Sequence, residues 1–187
     1  MKNAIIILVG PSGAGKSTFL DQALKDYSIL YDVITCTTRA QRKGESEGNP
    51  YFFLSREKFL ELIEKDYFIE WAEVHGNLYG VPEEQLHKAW AEGKAVIMDI
   101  DIQGAQTLRS KYPQSLCIFI TPPSLDALRD RVIRREGQVP KDLELRMENA
   151  KKEMAMADQF DFQVVNADFQ QCYREIKKII DDSLGLS

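Results

Sequence analysis

At 187 residues the chain has the length of one compact domain and can bury a core without disulfides or metals. Its 44% hydrophobic and 28% charged residues exclude a disordered or fibrous protein. A net charge of -5 argues against a surface built for nucleic acid or acidic lipid, so any anion site has to be a local basic cluster.

The chain opens with Ala4 to Val9, apolar and β-branched without alternation, which suits a central strand of a parallel sheet covered on both faces. That run is brief and leads into a glycine loop where a signal peptide would have a cleavage site, so no secretion signal or membrane span is expected. Helices are predicted over Ser17 to Lys25, Arg56 to Lys65, Pro82 to Glu92, Gln103 to Lys111, Ser124 to Arg135, Lys141 to Asp158 and Phe169 to Asp182. Apolar strand runs fall between them at Asp32 to Thr35, Ala95 to Ile100, Leu116 to Ile120 and Phe162 to Val165. Strands alternating with helices predict an α/β fold, a parallel sheet flanked by helices. Residues 35–81 break the pattern with short alternating runs at Tyr51 to Leu54, Phe68 to Val74 and Asn77 to Tyr79, which predicts a small β-rich insertion. The expected organisation is one domain, with a core from 1–34 and 82–187 carrying the insertion 35–81. Cys36, Cys117 and Cys172 are odd in number and far apart, with no Cys-x-x-Cys pair, so they read as reduced thiols of a cytoplasmic protein. His75, His87 and Trp71 have no partner at catalytic spacing.

Gly10-Pro11-Ser12-Gly13-Ala14-Gly15-Lys16-Ser17, followed by Thr18, fits the phosphate-loop pattern G-x-x-x-x-G-K-[ST] between a buried strand and a helix. The glycines let backbone N–H groups converge on phosphate oxygens, and the helix N-terminus adds its dipole. Lys16 supplies a mobile charge and Ser17 a hydroxyl for Mg²⁺, so ATP and Mg²⁺ are the expected cofactors. Asp99 and Asp101 end the next buried strand, where an acid either meets the metal shell or caps a helix. The metal reading is preferred for Asp101 and level with the capping reading for Asp99.

A phosphate loop does not separate kinases from GTPases and motor ATPases. Further motifs do: Thr37 to Glu45 (TTRAQRKGE), Tyr51-Phe52-Phe53, Phe68 to Ala72 (FIEWA), Gly76 to Gly80 (GNLYG) and Asp99 to Gly104 (DIDIQG). In this order and spacing they closely resemble guanylate kinases over nearly the whole chain. The resemblance implies ATP-dependent phosphorylation of GMP, and of dGMP, with Arg39, Arg42, Tyr51 and Tyr79 clamping the GMP phosphate. Guanidinium forks match phosphate oxygens, and tyrosine hydroxyls add donors. Without the family, the same arginines read as an exposed basic loop.

Glu70 resembles the family's guanine reader, able to accept from guanine N1–H and the 2-amino group, whereas adenine presents a lone pair at N1. Thr35 stands where the family usually has serine, and Asp101 also falls in the family's acceptor site. Val81 departs from the family's serine or threonine and lacks a donor for guanine O6, a loss of about 0.5–1.5 kcal/mol. Weaker GMP binding is expected, to be recovered in Val81→Thr. The resemblance also implies a lid at about 134–146, because Arg131, Arg135 and Arg146 fall at the family's spacing for arginines that close over the donor phosphates. Arg134 and Glu136 depart from glycines common in the family. Asn166 resembles a residue beside the donor adenine.

Two rivals stand beside this reading. One is a guanylate-kinase-like module that binds phosphopeptides, and the other a related kinase with a different phosphorylated acceptor. The expected ligands are ATP and GMP, with no nucleic acid and no membrane, and oligomeric state is not read from the sequence.

Overall fold

The computed structural model describes residues 3–74 and 76–186. His75 lies outside the described residues, as do the ends of the core range at 1, 2 and 187.

The chain runs β1 (Ile5–Val9), α1 (Lys16–Asp26), β2 (Leu30–Asp32), β3 (Thr35–Thr37), β4 (Ser46–Glu47), β5 (Pro50–Phe53), α2 (Arg56–Glu64), β6 (Phe68–Val74) and β7 (Asn77–Pro82). It continues α3 (Glu83–Ala91), β8 (Ala95–Asp99), α4 (Ile102–Lys111), β9 (Leu116–Thr121), α5 (Leu125–Glu136), α6 (Leu143–Met154), β10 (Phe162–Val165) and α7 (Phe169–Leu184). Five strands form a parallel sheet in the order β10-β9-β1-β8-β2. The strand signals without alternation follow from its two covered faces. Ile6, Leu8 and Ile97 pack against Phe19, Cys172, Ile176 and Ile180 of α1 and α7. On the other face, Ile5, Ile7, Val9 and Met98 pack against Leu86 and Ala89 of α3 and Ala105 and Leu108 of α4.

The insertion forms a second sheet, ordered β4-β5-β3-β7-β6, in which β6 and β7 pair antiparallel and β3 and β5 parallel. Phe59 of α2 stacks on Phe68 at 4.5 Å and closes a small core with Cys36 and Leu78. Ile69 and Val81 join the main core, so the insertion is stitched to the sheet at its base.

One expected strand divides. Instead of a single run from Asp32 to Thr35, β2 belongs to the parallel sheet and β3 to the insertion. The cause is Gln85 on α3: its side-chain amide accepts from Ile34 N at 3.0 Å and donates to Ile34 O at 2.7 Å. Both backbone groups of Ile34 are satisfied without a neighbouring strand, so the chain can leave one sheet and enter the other. The long helix expected over Lys141 to Asp158 is also shorter. It ends at Met154, and a 3-10 turn follows at Ala157–Gln159.

Candidate active site

β1 delivers the chain to Gly10, whose φ of 137° lies in the range open to glycine, and a Cβ there would sit 2.3 Å from Ile120 O. The loop then wraps to Gly15, the residue before α1, with φ 104° and a Cβ position only 2.6 Å from Asn166 Nδ2. Asn166 is buried and donates to Ala14 O at 2.7 Å, tying β10's end to the loop. Lys16 Nζ donates to Gly10 O at 2.6 Å and Pro11 O at 3.3 Å, so the lysine is folded onto its own loop. Burial lowers its pKa, while Asp99, Glu153 and Asp101 oppose that shift.

A cavity of about 530 Å³ opens above this loop, between the parallel sheet, the insertion and the α5–α6 arm. Its wall carries Lys16, Arg39, Arg42, Arg131, Arg135 and Arg146 against Glu70, Asp99, Asp101 and Glu153. An excess of cations therefore gathers in one place on a chain whose net charge is -5. It is suited to polyanions such as nucleotide phosphates.

Of the loop, Gly10, Ser12, Gly13, Gly15, Lys16, Ser17 and Thr18 line the cavity; Pro11 and Ala14 do not, and Ala14 contributes a buried backbone acceptor. Thr35, Tyr51 and Tyr79 also line it, with Tyr51 and Tyr79 rings in edge contact at 5.8 Å. Arg39 is gripped by both oxygens of Glu45, at 2.8 and 3.0 Å, and lies over the Tyr51 ring at 5.3 Å. Arg131 donates to Asn166 O at 2.8 Å, and Arg146 pairs with Asp142 at 2.9 Å. Arg135 reaches Ser12 Oγ at 3.3 Å, whereas the exposed Arg134 is absent from the cavity wall.

The two strand-end aspartates have different partners. Asp99 Oδ2 accepts from Ser17 Oγ at 2.7 Å, forming a hydroxyl–carboxylate pair beside the loop. Asp101 caps α4, its Oδ1 accepting from Gln103 N at 2.8 Å and Gly104 N at 3.1 Å. Asp101 still lines the cavity, but one of its oxygens is committed to the helix. No group of three or more His, Cys, Asp or Glu side chains able to hold a metal occurs among the described residues.

Glu70 is buried on β6, and its Oε2 has no hydrogen-bond partner among the described residues. Burial pushes its pKa up to about 8, Asp101 adds to the shift and Lys111 opposes it. A buried acceptor facing a cavity without a donor is complementary to a ligand that brings donors.

A sequence model of the guanylate kinase family matches residues 2–183. The chain belongs to the guanylate kinase family. It is 48% identical to the guanylate kinase of Bdellovibrio bacteriovorus over 185 residues, covering 99% of this chain and all of that one. It is 44% identical to that of Wolinella succinogenes, covering 98% of this chain and 86% of that one. A crystal structure of guanylate kinase from Anaplasma phagocytophilum superposes with a TM-score of 0.79 at 33% identity, covering 96% of this chain and 85% of that one.

Within this family member, Val81 lies on β7. It pairs with Glu70 across β6 and β7 but is completely buried with Ile69 and Ile102, off the cavity wall. Val81→Thr places a hydroxyl opposite Glu70, where it can donate to the unpartnered carboxylate and favour its ionised form. The variant is expected to lower the Michaelis constant for GMP by about threefold to tenfold at neutral pH, read in steady-state assays.

Sequence reasoning missed three contributors. Glu153 of α6 faces Lys16 and Asp101 across the cavity, with its carboxyl pKa raised mainly by burial. Gln85 routes the chain into the insertion, as described above. Gly104 on α4 leaves room for Glu70: a Cβ there would sit 2.8 Å from Glu70 Oε2 and 3.0 Å from its carboxyl carbon. Only Gly104 had a sequence signal, as the last residue of DIDIQG. Gly104→Ala should favour the helix by propensity yet displace the carboxylate. A rise of about tenfold or more in the Michaelis constant for GMP, with that for ATP unchanged, is the expected result.

Proposed function

We propose that this chain transfers the γ-phosphoryl group of ATP to the phosphate of GMP, giving ADP and GDP, with dGMP as a second acceptor. The observation that carries the proposal is Glu70, a buried unpartnered carboxylate in the same cavity as the phosphate loop. Guanine N1–H and the 2-amino group supply the two donors that this carboxylate lacks. Adenine would set N1 against it, acceptor facing acceptor.

The positions of the side chains support the following roles. Arg39 and Arg42, with Tyr51 and Tyr79, hold the GMP phosphate, and Thr35 adds a hydroxyl beside the base. Backbone N–H groups of the loop and Lys16 hold the donor phosphates, and Arg131, Arg135 and Arg146 neutralise charge in flight. Asn166 keeps the loop in place. A phosphate oxygen of GMP attacks the γ-phosphorus while its bond to the β–γ bridging oxygen breaks and ADP leaves. The attacking phosphate has a second pKa of about 6, so it is largely ionised at neutral pH and requires no general base. Ser17 and Asp99 suit an Mg²⁺ that takes its other ligands from phosphate and water, and that ion would supply charge neutralisation at the transferring group. Movement of the insertion and of an arm at about 134–146 would close the cavity against water.

A phosphopeptide-binding module would have no use for Lys16, Ser17 and three arginines on one wall, so the enzyme reading is favoured. Among the described residues no helix is long and apolar enough to cross a membrane, and Cys36, Cys117 and Cys172 are free thiols; both features support a cytoplasmic location. The test is a coupled assay with ATP, Mg²⁺ and each of GMP, dGMP, AMP, UMP and CMP. Turnover should occur with GMP and dGMP. Equal turnover with AMP would overturn the guanine assignment, and no turnover with any acceptor would overturn the kinase.

A further inference from the structure

We infer that Glu136 is a positioning residue that stands in for phosphate: its carboxylate gathers arginines from both walls of the cleft and is displaced when a nucleotide phosphate arrives. Glu136 Oε1 lies 2.9 Å from Arg42 Nη2, 3.3 Å from Arg135 Nη2 and 3.5 Å from Arg146 Nη1. These guanidiniums come from three separate segments. Arg42 belongs to the insertion, Arg135 to α5 and Arg146 to α6. One oxygen receiving three guanidinium N–H groups is the environment of a bound phosphoryl oxygen.

Local helix energetics do not account for a carboxylate here. Glu136 is the last residue of α5, followed by Gly137 in the left-handed conformation, and an acid at a helix C-terminus opposes the macrodipole. The arginines supply the compensation. Burial and the neighbouring Arg42 and Arg146 charges lower the pKa of Arg135, and Glu136 opposes that shift. Three like charges held together require anions, and the carboxylates of Glu136 and Asp142 still leave them one positive charge in excess. A nucleotide phosphate carries about -1.5 to -2 at neutral pH and provides three oxygens, so it can displace the carboxylate from the same donors.

Two consequences follow. The Arg42–Glu136 pair ties the insertion to α5 across the cleft. On ligand binding Glu136 must leave, so it weakens phosphate affinity while keeping the arginines gathered.

The inference rests on reading this cleft as the nucleotide site, and its test uses inorganic phosphate so that the two can fail separately. Calorimetric titration of phosphate into Glu136→Gln should give a dissociation constant about threefold to tenfold lower than in the wild type. The Michaelis constant for GMP should fall by a similar factor, with a smaller change in kcat. Leu60 on α2 and Leu145 on α6 are exposed, and the native thiols are buried, so a Leu60→Cys, Leu145→Cys pair can carry two fluorophores. Energy transfer between them, without ligand, should report a longer separation once Glu136→Gln is added. Unchanged or weaker phosphate affinity overturns the stand-in role, and an unchanged separation overturns the cross-cleft tie. Absence of ATP–GMP turnover in the wild type would instead overturn the kinase reading, and the phosphate titration would still decide the inference.

Discussion

Lys16→Ala is expected to lower phosphoryl transfer by about 10²–10³-fold while leaving GMP binding nearly intact. Lys16 lies at the mouth of the loop, donating to Gly10 O and Pro11 O, and is free to turn to phosphate oxygens once a donor nucleotide arrives. Loss of one such preorganised donor lowers turnover by about 10²–10³-fold, because the transition state gathers charge where water cannot neutralise it. The proposed acceptor clamp of Arg39, Arg42, Tyr51 and Tyr79 stands on the insertion and does not use the lysine. Single-turnover transfer and GMP calorimetry on the same variant separate the two effects. Retained turnover would remove Lys16 from the mechanism.

Glu70→Gln is the second large effect, with an expected loss of about 100-fold or more in kcat/KM for GMP. Glutamine offers one carbonyl oxygen and turns an amide donor toward a guanine that also presents donors, so one favourable contact becomes a clash. ATP binding should be unaffected. The same residue makes GMP affinity depend on pH. Its carboxyl is pushed up to about 8, so in the free protein at neutral pH it is largely neutral and must lose its proton to accept both guanine donors. Affinity for GMP should therefore rise with pH up to about 8 and then level off, whereas Glu70→Gln should lose this dependence. Fold stability moves the opposite way. A carboxyl whose pKa is raised on folding binds more protons in the native state, so its contribution is present below the usual carboxylate pKa and lost as pH rises toward 8. Glu70→Gln should melt higher than the wild type near pH 8, because no charge then has to be buried.

The parts of the site that were legible in the sequence are contiguous. Gly10 to Ser17 can be read because a backbone nest, a lysine and a hydroxyl must follow one another between a strand and a helix. The arginines, tyrosines and Glu70 of the insertion were legible only through a resemblance, since alone they are a basic loop and a strand acid. Asp101 shows what local signals leave out: at the end of a buried strand it reads as a metal neighbour, and it also caps α4 while lining the cavity. Asp99 takes the place beside Ser17, a pairing across 82 residues that no local spacing encodes. Val81 is Glu70's partner by strand pairing, yet it is buried in the main-sheet core that also holds Ile69 and Ile102, and only packing decides that.

By itself the sequence determined the alternation of strands and helices, the phosphate loop and the class of ligand it holds, because each depends on residues adjacent in the chain or on a period of burial. The tertiary structure decided which acid meets Ser17, how Gln85 passes the chain between two sheets, why Gly104 must lack a side chain and how Glu136 joins Arg42, Arg135 and Arg146. Each of these depends on the distance between atoms far apart in sequence, which is fixed only when the sheet, the insertion and the α5–α6 arm have packed.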